Sequence, residues 1–257
     1  MGKKIIVLFL IIISIFLITG CRKNNADAKK FSEEYEKLNN TKAPYGDNEN
    51  YRNISIPKNN SFVYSNAKEI LEMIDNKETF YVYFGSAHCP WCRSVIEKAV
   101  EVANKNKVEK IYYVNIWKGF HEEILRDTYE IGDNNKPNKV KDGSKEYYKL
   151  LNKFDNLLED YTLTTDNNEK INVGEKRIFA PNFIYVEKGK AKKIITGISK
   201  KQTKYNSKLN KNILADEKKN LIIFLKNSLI LFFLWLSKFL QVFFVKFLKK
   251  LWFCLKV

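Results

Sequence analysis

Two cysteines separated by two residues are the part of this chain with the clearest capacity for chemistry. They lie in the segment Cys89-Pro90-Trp91-Cys92. The thiolate is the reactive form of cysteine, and this spacing lets the second sulfur reach the first and close a disulfide. The pair therefore predicts thiol–disulfide exchange, in which one thiolate attacks a disulfide and a second thiol resolves the mixed disulfide.

The residues around the two cysteines predict a strand followed by a helix. A β-rich run covers residues 80–84, and apolar residues at helical spacing follow the cysteines, namely Ile96, Ala99, Val100 and Ala103. Pro90 falls in the first helical turn, where proline is tolerated. Unpaired N–H groups and the positive end of the helix dipole favour an anion there. We therefore expect Cys89 to be the nucleophile, with a lowered pKa, and Cys92 to be the more buried resolving thiol.

Three further patterns place the two cysteines within an α/β domain. Residues 66–77 have the apolar spacing of an amphipathic helix, with Asn66 as its expected N-cap. Residues 110–116 are a second β-rich run, and the crossover helix before it predicts that this strand and the strand at 80–84 are parallel. Residues 177–197 read as a strand, a glycine-containing turn and a strand, which predicts a β-hairpin.

Over roughly residues 61–199 this arrangement resembles the thioredoxin superfamily. The resemblance rests on the strand, on Cys-Pro-Trp-Cys at the helix start, and on Pro181 at the start of the hairpin. It implies a thioredoxin-like fold, with a central mixed sheet flanked by helices. It also implies that Pro181 is cis and lies beside the cysteines, where the backbone of Ala180 pairs with the substrate chain. The alternative is an ordinary trans proline at a strand start. Trp91 is expected to be exposed, either as an apolar contact for the substrate or as a surface aromatic.

Tyr83 departs from the pattern of that family. Many thioredoxins carry a buried acid six residues before the first cysteine, where it assists proton transfer during reduction. Pro90 also removes one backbone N–H that could have served the thiolate. A protonated His88 would favour a thiolate at Cys89, and the alternative is a solvent-facing histidine without a role. The motif leaves oxidation or isomerisation of secreted proteins and reduction fed by a membrane electron donor both open.

Two other interpretations of the cysteine pair agree less well with the sequence. Structural zinc usually takes four Cys or His ligands, and besides its four cysteines the chain has only His88 and His121. A purely structural disulfide across so small a loop contributes little stability. We therefore expect no metal and no other cofactor, and we expect protein thiols or disulfides as partners.

The N-terminal segment predicts export and attachment to a membrane. Two lysines precede an apolar run at residues 5–18, as in a secretory signal peptide. The residues Ile18-Thr19-Gly20-Cys21 resemble a bacterial lipobox, which implies removal of the signal peptide 1–20 and lipidation of Cys21. Two acyl chains suffice for stable anchoring. The chain would then lie on the extracytoplasmic face of the bacterial cell membrane, where disulfides persist. The alternative is an uncleaved anchor with a chance cysteine.

The other segments are predicted to be appendages of the domain at 61–199. Residues 21–60 are polar and predict a lipidated tether with at most a short helix. Residues 117–176 have no place in a minimal thioredoxin core. They predict a helical insertion, with its helix at 145–160, that packs on the core or shapes substrate choice. Residues 200–257 are predicted to be a basic and hydrophobic tail.

The net charge of +16 is concentrated near the chain ends, since eight lysines and no acid follow Glu217. This distribution favours membrane contact at the ends over a nucleic-acid-binding core, so we expect no nucleic-acid partner. The apolar run at 221–245 predicts a hydrophobic C-terminal helix. That helix spans a membrane, lies in the interface, or is an unnatural tail from a frameshift or a misplaced stop codon.

Together these features predict an extracytoplasmic, membrane-tethered thiol–disulfide oxidoreductase that acts on protein disulfides or dithiols. The alternative is a non-catalytic binding or accessory lipoprotein, because the chain is broadly similar to the thioredoxin-like accessory proteins of bacteriocin export. A third possibility is a membrane-active or channel-associated protein built around the C-terminal tail.

Overall fold

The computed structural model describes residues 26–46, 49–133, 135–165 and 167–225, and these form an α/β domain with a mixed central sheet. The helices are α1 (26–36), α2 (Ala67–Asp75), α3 (Pro90–Lys105), α4 (Lys145–Phe154) and α5 (211–225). The strands are β1 (Phe62–Ser65), β2 (Phe80–Gly85), β3 (Ile111–Asn115), β4 (Thr128–Ile131), β5 (Pro137–Lys141), β6 (Glu159–Thr164), β7 (Lys170–Arg177), β8 (Asn182–Glu187) and β9 (Lys190–Ile195). The order in the five-stranded central sheet is β1-β3-β2-β8-β9.

The unit that carries the two cysteines forms as its residue pattern predicts. All six residues of β2 are buried, as expected for a strand covered on both faces. The chain then crosses over through α3, and β3 pairs with β2 in parallel. Ahead of this unit, the Asn66 side chain caps α2 by accepting a hydrogen bond from the Glu69 N–H at 3.0 Å.

The predicted hairpin is also present, with β8 antiparallel to β2 and β9 antiparallel to β8. Lys188 and Gly189 both have positive φ angles, of 50° and 71°, which suits a tight hairpin turn. A Cβ atom at Gly189 would lie 2.2 Å from the Ile74 carbonyl oxygen, so only glycine fits this close approach to the end of α2.

Helices cover both faces of the central sheet. On one face, Tyr83 is hydrogen-bonded to α1, and Tyr81 meets Phe224 of α5 with ring centroids 5.4 Å apart. On the other face, Phe84 meets Phe154 of α4 at 6.2 Å. The chain thus has three layers, with β2 at the centre of the core.

The N-terminal segment packs on the domain, which corrects the prediction of a polar tether over residues 21–60 for the part described. In α1, Phe31 and Tyr35 lie one turn apart and are fully buried. Ile54 and Ile56 follow and are also buried. The segment reads as polar because these few apolar residues are spaced among polar side chains that face solvent.

The insertion at 117–176 is only partly helical, which corrects the prediction of a helical insertion. It contains α4 and two hairpins, β4–β5 and β6–β7. The buried face of α4 is as predicted, with Tyr147, Leu150 and Phe154 fully buried. The helix ends at Phe154 instead of residue 160, because a short 3-10 turn and an extended Leu158 lead into the β6–β7 pairing.

The first part of the predicted C-terminal tail belongs to the core. Leu221, Phe224 and Leu225 of α5 are almost fully buried. The rest of the expected hydrophobic helix, residues 226–245, lies outside the described residues, as do residues 1–20 and Cys21. Within the described ranges, no helix combines the length and the apolar character needed to cross a membrane.

The packing of α1 predicts a large loss of stability for Phe31→Ala. Phe31 stacks on Phe62 with ring centroids 4.4 Å apart, and removal of a buried phenyl group typically costs about 3–5 kcal/mol of unfolding free energy. Denaturant unfolding of the full chain measures this difference. Glu33→Ala is the matched control on the exposed face of α1, with an expected change of about 0.5 kcal/mol or less. Equal effects of the two substitutions would contradict the packing of α1.

Candidate functional site

Cys89 occupies the N-cap position of α3, where its sulfur satisfies a helix N–H that would otherwise lack a partner. The backbone of Cys89 is extended, with φ −78° and ψ 119°, and the Cys92 N–H donates to its sulfur at 3.3 Å. Pro90 is the first helical residue, where the missing N–H costs nothing. The predicted junction of strand, dithiol and helix is therefore present, with both cysteines as buried thiols.

The two thiols differ in acidity because of their surroundings. Burial raises the pKa of Cys89, but the Cys92 thiol, the N–H groups of Cys92 and Trp91, and the charge of Arg126 outweigh burial and hold this pKa below its ordinary value. Burial raises the pKa of Cys92 well above its ordinary value, and the hydrogen bond that Cys92 donates to Cys89 raises it further. Cys89 is therefore the more acidic of the two thiols, and the roles of nucleophile and resolving thiol stay predictions.

Pro181 lies beside the two cysteines, and the Ala180–Pro181 peptide bond is cis, as predicted. The Cys89 thiol donates a hydrogen bond to the Ala180 carbonyl at 3.6 Å. The segment before β8 is thereby brought against the start of α3, although 91 residues separate the two in sequence. The predicted residues Cys89, Cys92, Ala180 and Pro181 form one site.

Aromatic residues from distant segments surround the cysteines more closely than the sequence indicates. Trp91, expected to be exposed, is partly buried and meets Tyr205 edge to face, with ring centroids 6.4 Å apart. Tyr205 in turn meets Tyr45 at 5.1 Å. Only 2% of Cys89 is exposed. A reactant from solution can therefore reach the Cys89 sulfur only if neighbouring side chains move aside.

His88 is held as a neutral ring. Its Nδ1 lies 3.2 Å from the Tyr51 hydroxyl. Burial lowers the pKa of His88, and the nearby charge of Arg93 lowers it further. A positive charge on His88 is therefore not the source of the lowered pKa of Cys89.

Arg93 anchors the loop of the two cysteines and was missed in the sequence. Its guanidinium is fully buried and donates to the carbonyls of Tyr35, Arg52 and Ala87 at 2.6–3.2 Å and to Asn39 Oδ1 at 2.9 Å. The signal was present, because residue 93 lies three residues before Ile96 and so on the apolar face of α3. The acceptors other than Ala87, in contrast, come from the segment at 21–60 that the sequence predicted to be a tether.

Arg126 is the second charge at the site and comes from the insertion. It forms a buried ion pair with Glu123, and its Nη1 donates to the Ile178 carbonyl at 3.0 Å, two residues before Ala180. The insertion therefore both supports the loop of Pro181 and supplies a positive charge that favours the Cys89 thiolate. Among the described residues, no three His, Cys, Asp or Glu side chains are arranged to hold a metal ion.

Comparison with known proteins adds no further constraint on this site. No protein-family model matches the chain, and no curated protein sequence matches it.

The hydrogen bond from Cys92 predicts the pH dependence of Cys89 alkylation. In a chain with Cys21→Ser and Cys254→Ser, the rate with iodoacetamide should rise with pH and reach half its maximum below about 8.5, the ordinary pKa of a thiol. Adding Cys92→Ala removes one donor, so the midpoint should move to higher pH. Mass spectrometry of the Cys89 peptide against time gives both midpoints. An unchanged midpoint would contradict the role of Cys92.

Proposed function

We propose that this protein is an extracytoplasmic, membrane-tethered thiol–disulfide oxidoreductase that acts on protein disulfides or dithiols through Cys89 and Cys92. The observation that carries the proposal is the position of the Cys89 sulfur. It caps α3, accepts the Cys92 N–H, and lies 3.6 Å from the Ala180 carbonyl. Few structural roles require a buried thiol with a lowered pKa next to a second thiol.

A thioredoxin-like fold is part of this proposal. It is supported by the parallel pairing of β2 with β3 across α3 and by the antiparallel β8–β9 hairpin at the other side of β2. The position of Pro181 beside the cysteines supports it too. The segments at 26–60 and 117–176, and α5, would then be additions to that fold.

The proposed reaction has two steps. The Cys89 thiolate attacks a substrate disulfide, and one substrate thiolate leaves and takes a proton. Cys92, after losing its proton, attacks Cys89 and releases the second substrate thiol, which leaves a Cys89–Cys92 disulfide. The reverse sequence oxidises a substrate dithiol. Which direction operates depends on the reduction potential of the pair relative to its partners.

The proposed location rests on the lipobox-like residues before Cys21, which lie outside the described residues. A lipid on Cys21 would tether the domain to the outer face of the cell membrane. This compartment suits the chemistry, because disulfides persist outside the cytoplasm.

We predict that the protein catalyses the reduction of insulin disulfides, with dithiothreitol as the reductant. The full chain should accelerate this reaction, and Cys89→Ser should reduce the acceleration to background because the nucleophile is lost. Cys254→Ser is a suitable control, since it removes a cysteine that has no part in the proposed site. Turbidity of the precipitating insulin chain measures the rate. Full activity of Cys89→Ser would refute the proposal.

A second candidate function is non-catalytic binding, as in an accessory lipoprotein. The observation that favours it is the low exposure of Cys89, at 2%, together with the contact of Trp91 with Tyr205. The two functions differ in cells that produce Cys92→Ala. An enzyme should accumulate mixed disulfides on Cys89, seen as bands of higher mass on a non-reducing gel that disappear when reductant is added. A binding protein should form none.

Attachment through Cys21 predicts a change in cell fractionation. The natural chain should incorporate labelled fatty acid and remain with membranes after a high-salt wash, because hydrophobic insertion is not screened by salt. Cys21→Ser should not incorporate the label, while Cys254→Ser should incorporate it normally. Equal labelling of natural chain and Cys21→Ser would exclude the proposed lipidation.

A further inference from the structure

Two fully buried tyrosines belong to the same core cluster as the pair of cysteines. Tyr83 comes from β2, and its hydroxyl lies close enough to the Cys92 sulfur to lower the pKa of that thiol. Tyr35 comes from α1, and its hydroxyl lies 3.1 Å from that of Tyr83. A buried hydroxyl without a partner is costly, so each of these contacts stabilises an otherwise unfavourable polar group.

Both phenols can serve as hydrogen-bond donors. Burial keeps the pKa of Tyr35 and of Tyr83 well above the ordinary value, so both phenols stay protonated and act as donors. Either hydroxyl can donate in the 3.1 Å contact between Tyr35 and Tyr83, and Tyr35 is the donor whenever the Tyr83 proton is directed at Cys92.

The position of Tyr83 is fixed by its surroundings. Its ring is stacked on Phe183 at 4.5 Å and on Tyr113 at 5.6 Å between ring centroids. A Cβ atom at Gly85 would lie 2.3 Å from the Tyr83 hydroxyl, so the glycine leaves the space in which this hydroxyl sits. The phenol cannot easily turn away from Cys92.

We propose that Tyr83 is a catalytic residue of the resolving step and that Tyr35 is a positioning residue that acts through it. This inference rests on the proposed function. Tyr83 donates a hydrogen bond to the thiolate that forms on Cys92, and Tyr35 keeps the Tyr83 hydroxyl directed at the sulfur. Hydrogen bonds to a charged group are stronger than those to a neutral one, so the contact stabilises the Cys92 thiolate more than the thiol.

The step balances without a further reactant. When Cys89 has attacked a substrate disulfide, its thiolate no longer receives the Cys92 proton. That proton passes through water to the substrate thiolate released first. The Cys92 thiolate then attacks the Cys89 sulfur, the bond from Cys89 to the substrate breaks, and the second substrate thiolate leaves and takes a proton from water. The substrate disulfide is reduced and the cysteine pair is oxidised, while neither tyrosine is consumed.

The test follows the two steps with the aromatic disulfide dithiobis(nitrobenzoate). The protein is the reduced full chain with Cys21→Ser and Cys254→Ser, so that only Cys89 and Cys92 react. Attack by Cys89 releases one thionitrobenzoate in a phase that depends on reagent concentration. Resolution by Cys92 releases the second in a phase that does not, and stopped-flow absorbance separates the two.

Tyr83→Phe should slow the second phase about tenfold or more, because it removes one hydrogen bond to a developing charge. The pH midpoint of that phase should also move upward, since the Cys92 thiolate is less stabilised. Tyr35→Phe should have a smaller effect, of about threefold. Tyr113→Phe is the matched control, because this buried phenol contacts the same cluster but donates to Glu34 instead of a sulfur, and its second phase should be unchanged.

An unchanged rate and pH midpoint of the second phase in a folded Tyr83→Phe protein would overturn the inference. Equal slowing by Tyr113→Phe would overturn it too. If Tyr83→Phe alone does not fold, the double variant Tyr35→Phe with Tyr83→Phe removes both hydroxyls together and leaves neither unpaired, and the same slowing is expected. A parent protein that never shows a second phase would instead refute the proposed function itself.

Discussion

The buried guanidinium of Arg93 is the interaction on which the arrangement of the site depends. A buried charge lowers the stability of the fold unless its hydrogen-bond donors are satisfied. Every hydrogen bond that Arg93 makes within the described residues goes to a neutral oxygen, and most of these are backbone carbonyls. The side chain therefore requires the chain at Tyr35, Asn39 and Arg52 to lie against α3. It also requires the carbonyl of Ala87, two residues before Cys89, to point inward.

This requirement makes the site a composite of separate parts of the chain. The segment at 26–60 supplies Tyr35 and the acceptors of Arg93, the unit of β2 and α3 supplies both thiols, and the insertion supplies Arg126. The loop before β8 then closes the site with the Ala180 carbonyl. Removal of one part would affect the others, since each contributes hydrogen bonds to its neighbours.

The elements that could be predicted from the sequence are those whose signals are local. The N-cap at Asn66, the strand and helix on either side of the cysteines, and the β8–β9 hairpin follow from short patterns of residues. So does the proximity of Cys89 to Cys92. The site of Pro181 was predicted because a family resemblance supplied a contact across 91 residues.

The missed features depend on long-range packing. In α1, the apolar signal consists of Phe31 and Tyr35 among charged residues, and nothing nearby indicates the aromatic cluster that buries them. Arg126 reads as a surface arginine until its partners at Glu123 and Ile178 are known. The β6–β7 hairpin competes with a helical pattern that continues past Phe154, and strand pairing prevails.

The role of Cys89 as a helix cap links the stability of the domain to its oxidation state. A sulfur that carries negative charge compensates the N-terminal end of α3, whereas a sulfur bonded to Cys92 carries none. The free energy of folding that this charge contributes therefore stabilises the reduced protein and not the oxidised one. By a thermodynamic cycle, the same free energy makes the disulfide a stronger electron acceptor. The local backbone of one helix thus contributes to the driving force with which the pair would take electrons from another protein.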